Sequence, residues 1–144
     1  MTKTHIGLVQ ASWKMVAENG TGTTGSLLYR ELTTILPELA DNMSLQEAQP
    51  SRKIIAIVNH LIRSLHDTVS VINTVEDFSR RHLPYALHDE QFIRAGRSLL
   101  DILSANLGDK WNSDIEQAWL NCYITLAEAM MLSNNAAEEP IYYC

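Results

Sequence analysis

A chain of 144 residues with 46% apolar and 19% charged side chains can bury one core but not two ordinary ones. Its formal charge of -6 argues against nucleic acid or an anionic membrane as the main partner. The longest apolar run, Ile54 to Val58, is far short of a membrane span, and no signal core opens the chain. Cys122 and Cys144 supply neither a disulfide framework nor a metal spacing, so a cytoplasmic protein is expected.

The first predicted helix runs from about Thr4 to Asn19, with Ile6, Val9, Trp13 and Val16 on one stripe and Gly20 as its stop. Gly20-Thr21-Gly22-Thr23-Thr24-Gly25 then matches the dinucleotide motif G-x-G-x-x-G literally. That motif needs a strand before it, whereas the preceding segment has helical period, so the glycines read as a corner between helices. Thr24 to Ile35 forms the second helix, with Leu28, Leu32 and Ile35 inward. Tyr29 lies beside that stripe, where a phenol should find a partner. Pro37 opens a short helical turn, and residues 41–49 read as a connection. Pro50 or Ser51 starts the next long helix, whose inner face runs from Ile54 to Leu65. A looser stretch, His66 to Ser70, leads into a helix that Pro84 stops.

That helix ends on Asp77-Phe78-Ser79-Arg80-Arg81-His82, with Ile72, Val75 and Phe78 placing His82 on their apolar face. Two readings are open. His82 is either a partly buried histidine satisfied by the free carbonyls of a helix end, or a metal or haem ligand. In the second case its other ring nitrogen donates to the carbonyl of Phe78. Other constellations carry less. His60 and His66 are not spaced to share one metal, and C-x-x-C, H-E-x-x-H and G-x-S-x-G are all missing. Met43, Met130 and Met131 read as core or pocket lining, and Trp13 and Trp119 as buried stripes.

A further helix carries Phe92, Ile93, Gly96, Leu99, Leu100 and Leu103 and ends at Leu107-Gly108. The last begins with Ser113-Asp114-Ile115-Glu116, a capping-box pattern, and turns Ile115, Trp119, Cys122, Tyr123, Leu126 and Met130 inward. Residues 1–133 are expected to form one all-α domain and 134–144 a tail, as a monomer or homodimer.

The series R-R-H-x-x-Y, F-I-x-x-G-x-x-L-L, L-G-D and A-W-x-x-x-Y, read from Arg80 to Tyr123, resembles the bacterial single-domain globins related to flavohaemoglobins. The resemblance covers about residues 5–132. It implies a globin fold around haem b (iron protoporphyrin IX) with His82 as the proximal iron ligand. It also implies Tyr29 at the distal tyrosine position, Ile54 over the iron, Lys53 reaching a propionate and Leu87 bordering the haem on the proximal side. The position usually held by a distal glutamine or histidine falls on Pro50, or on Gln49 after a one-residue slip. Met43 stands where a phenylalanine usually wedges the haem. Phe92 and Asn134 replace the tyrosine and glutamate of the proximal network, which is expected to be missing or rebuilt. Tyr29 becomes the expected donor to bound oxygen, helped by Gln49 or Gln46. The implied function is reversible binding of oxygen, nitric oxide or carbon monoxide, for oxygen binding and transport or for gas sensing. The alternatives are a nitric oxide dioxygenase served by an external reductase, since no flavin or nicotinamide domain follows residue 144, and a globin-shaped interaction protein without haem.

Overall fold

A computed structural model describes residues 2–46, 49–83 and 88–138 (44–46 and 129–138 as backbone only). Among these residues the regular structure is helical throughout, in the order α1 (Lys3–Glu18), α2 (Gly22–Ile35), α3 (Pro37–Gln46), α4 (Pro50–Arg63), α5 (Thr68–His82), α6 (Asp89–Leu107), a 3-10 turn at Gly108–Lys110, and α7 (Ser113–Glu138). The expected all-α class is the one observed among the described residues.

Local chemistry sets most boundaries. The Thr2 side chain accepts from the His5 amide at 3.1 Å and opens α1, and Gly20 closes it with φ 93°, a conformation that favours glycine. Asp67 caps α5 by accepting from the Ser70 amide at 3.1 Å. His88 and Gln91 form a reciprocal capping box at the start of α6. At α7 the cap lies one residue earlier than the sequence pattern suggests. The Asn112 side chain accepts from the Ile115 amide at 2.9 Å, which makes Ser113 the first helical residue.

Two further differences concern length. Residues 41–46 continue α3 instead of forming a connection, because Leu39 and Met43, one turn apart, are both fully buried. The α7 backbone runs to Glu138, so the beginning of the expected tail prolongs the helix.

Packing divides the core in two. Val9, Trp13 and Val16 of α1 meet Leu103 of α6 and Trp119 of α7 in one cluster. Their polar atoms are satisfied internally: Trp119 Nε1 donates to Ser12 Oγ at 2.8 Å and Trp13 Nε1 to Asn59 Oδ1 at 2.6 Å. The second cluster joins Leu28, Leu39, Met43, Ile54, Leu83 and Ile102. It depends on a close crossing of α2 over α4. A Cβ at Gly25 would stand 2.8 Å from Ile55 Cγ1 and 3.0 Å from the Ser51 carbonyl oxygen. The glycine-rich stretch is thus a helix stop at Gly20 and a helix crossing at Gly25. No described helix is long and apolar enough to cross a membrane.

Candidate functional site

His82 closes α5 because Leu83, the residue before Pro84, adopts an extended conformation (φ -128°, ψ 141°), as residues preceding proline do. The last turn is cationic, with Arg80 and Arg81 beside His82 near the negative end of the helix dipole. Both arginines reach Asp77, at 3.6 and 3.2 Å, on the exposed side of the helix. The imidazole faces the other way and is 1% exposed. Its Nδ1 lies 3.0 Å from the Phe78 carbonyl oxygen. A carbonyl only accepts, so Nδ1 carries the hydrogen and the buried Nε2 the lone pair. The Phe78 ring stacks on the imidazole, centroids 4.4 Å apart and planes 27° apart. Asn42 of α3 donates to the His82 carbonyl at 2.7 Å and ties this helix end to the far side of the fold. The imidazole is therefore fixed in position, in plane and in tautomer.

Phe78, Ser79 and Leu83, which flank His82 in sequence and in the helix turn before it, form part of the wall of an apolar cavity of about 270 Å³. Further walls come from α2 and α4, and the floor from α6 and α7. Four side chains with ionisable or hydrogen-bonding groups other than indole reach this lining: Ser79, Gln91, Cys122 and Tyr123. Burial pushes the Cys122 thiol up, so it stays protonated and inert. Tyr123 donates to the Phe92 carbonyl. Its pKa is pushed up to about 12, first by burial, with the Gly96 amide pulling the other way. Gly96 makes this possible, since a Cβ there would stand 2.8 Å from two carbons of the Tyr123 ring.

The residues expected at the site divide into three groups. Ile54, Phe78 and Phe92 line the cavity. Met43, fully buried, packs in the cluster that contains Ile54 and Leu83, and half-buried Tyr29 packs against the same cluster, but neither forms part of the lining. Pro50 is the first residue of α4, preceded by exposed Gln49, and Lys53 is half-buried one residue before Ile54. Leu87 and the side chains of Gln46 and Asn134 lie outside the described residues. His88, the other histidine near the site, is exposed at the α6 cap. No cluster of three or more metal-binding side chains occurs among the described residues.

Asn42 and the Gly96–Tyr123 contact were not anticipated as parts of one site. The glycine and the tyrosine stand in two of the sequence motifs, and a small residue opposite a large one was the available signal. Asn42 had none, because its partner is a backbone carbonyl forty residues away.

The buried His82 imidazole, its Nδ1 committed to the Phe78 carbonyl, thus stands at the end of α5 next to an apolar cavity that takes lining residues from all seven α-helices, although His82 itself is not one of them. The globin family profile matches residues 39–130, and the chain belongs to that family. Among its relatives, neuroglobin from Dissostichus mawsoni is 25% identical over 137 residues, covering 85% of this chain and 86% of the relative. A flavohemoprotein from Vibrio cholerae is 19% identical over 134 residues, covering 91% of this chain and 34% of the relative. Another from Xylella fastidiosa is 22% identical over 128 residues, covering 87% of this chain and 32% of the relative. The chain thus spans about a third of the flavohemoproteins and most of the neuroglobin. These relatives are neuroglobins and flavohemoproteins, all at low identity, and they do not single out the bacterial single-domain branch.

Proposed function

We propose that this chain binds haem through His82 and uses it to hold a diatomic gas reversibly, for oxygen binding or for gas sensing. The observation that carries the reading is the buried His82 ring, whose Nδ1 hydrogen is committed to the Phe78 carbonyl. An imidazole held this way presents Nε2 as a lone-pair donor, and the Phe78 carbonyl that accepts from Nδ1 raises its basicity. The apolar lining fits the hydrophobic faces of a porphyrin. Lys53, half-buried one residue before Ile54, is the cation that would suit a propionate. When bound, haem would supply an iron able to take up a diatomic gas.

The chain's own residues do the rest. His82 binds and orients, Phe78 fixes the tautomer and packs on the ring, and Ile54, Phe92 and their neighbours exclude water. Likeness to neuroglobins and flavohemoproteins supports the reading. The test is the ferrous haem-loaded chain exposed to carbon monoxide. A shift of the Soret band that reverses on flash photolysis is expected. A spectrum unchanged by the gas would overturn the reading.

A further inference from the structure

The lining of the cavity is chemically one-sided. Its polar side chains, Ser79, Gln91, Cys122 and Tyr123, belong to α5, α6 and α7. The wall from α2 and α4 presents Leu28, Leu32, Ile54, Ile57, Val58 and Leu61. No described hydrogen-bond donor from either helix reaches the lining. On α2 the inward positions are Leu28 and Leu32, one turn apart, and Tyr29, about 100° around the helix from Leu28 and about 60° from Leu32, is not in the lining. On α4, Pro50 has neither a side-chain donor nor an amide hydrogen, and Ile54 is the first residue to enter the lining.

Resting on the haem reading, and narrowing its two roles to gas sensing, we infer that the α2–α4 wall faces the bound gas and selects against oxygen and in favour of nitric oxide and carbon monoxide. Oxygen takes on the most negative charge of the three when it binds ferrous haem. Its retention therefore depends most on a donor, worth roughly ten- to a hundred-fold in release rate. Carbon monoxide and nitric oxide take on less charge and lose little against a hydrocarbon wall. The α2–α4 crossing holds this wall in place: Gly25 has no room for a Cβ, so α2 cannot rotate without displacing Ile55.

Two substitutions test the inference. Stopped-flow release of oxygen from Tyr29→Phe should match the wild type within about twofold, since the phenol does not reach the gas. Ile54→Gln, which places a donor on the wall, should slow oxygen release roughly ten-fold or more and change carbon monoxide release much less. A second readout needs no gas. Nitration of Tyr29 by tetranitromethane, followed by mass spectrometry, should be equal in the haem-free and haem-loaded chains. Oxygen release accelerated ten-fold or more in Tyr29→Phe, or protection of Tyr29 from nitration on loading, would overturn the inference and make Tyr29 the donor. So would an Ile54→Gln variant that binds carbon monoxide yet releases oxygen as fast as the wild type. A haem-loaded wild type that binds no carbon monoxide would instead remove the gas-binding reading, and this inference with it.

Discussion

Nδ1 of His82 has one hydrogen to give, and at 3.0 Å the Phe78 carbonyl takes it. Much of the site's chemistry follows from that bond, because it leaves Nε2 as the only lone pair the ring can offer. Tyr123 is the second residue whose state is set by its surroundings. Burial disfavours the phenolate and pushes its pKa from 10.0 to about 12. The folded chain therefore favours the neutral phenol more than the unfolded chain does. That contribution to stability is fully present below pH 10 and is lost as pH rises toward about 12. Denaturant midpoints of the wild type should fall across this window more steeply than those of Tyr123→Phe. An ultraviolet difference titration should show one phenol ionising later than the others. Parallel pH profiles for the two proteins would show that Tyr123 is not held neutral by the fold.

The α6–α7 contact depends on a small residue meeting a large one, and it supports the floor of the cavity. Ala at Gly96 would push its Cβ into the Tyr123 ring, which is held from behind by the Phe92 carbonyl. Gly96→Ala should cost about 1–3 kcal/mol by urea unfolding, in the range found for overpacked cores. In a double-mutant cycle most of that loss should disappear on a Tyr123→Leu background. A Gly96→Ala cost below about 0.5 kcal/mol would mean that the contact is slack. Helix ends were legible where a stripe meets a stop, as at Gly20 after α1, Pro84 after α5 and Gly108 after α6, whereas residues 68–70, expected in a looser stretch, already belong to α5 behind its Asp67 cap. In α3 the buried pair Leu39 and Met43 is too short a signal to set a period, so residues 41–46 read as a connection. At α7 two adjacent residues, Asn112 and Ser113, were both chemically competent caps, and only the geometry of the turn separates them.

On the scale of the molecule, the four motifs between Arg80 and Tyr123 carried the fold, because they order α5, α6 and α7 around one histidine. The Phe78 carbonyl could be anticipated as well, since it lies one turn before His82 on the same helix. The choice between Leu28 and Tyr29 at the cavity wall could not. The two are neighbours on α2, and which one faces the cavity depends on how α2 is rotated at its crossing with α4, a tertiary contact fixed by Gly25 and Ile55. Asn42 was hidden for the same reason, its partner lying on another helix. The central claim is that His82 anchors a haem. Titration of the haem-free chain with haemin, followed in the Soret region, tests it most directly alongside His82→Ala. The wild type should take up one equivalent and give a histidine-ligated spectrum, while His82→Ala, still helical by circular dichroism, should lose stable uptake. Equal uptake with the same spectrum in both proteins would contradict the account.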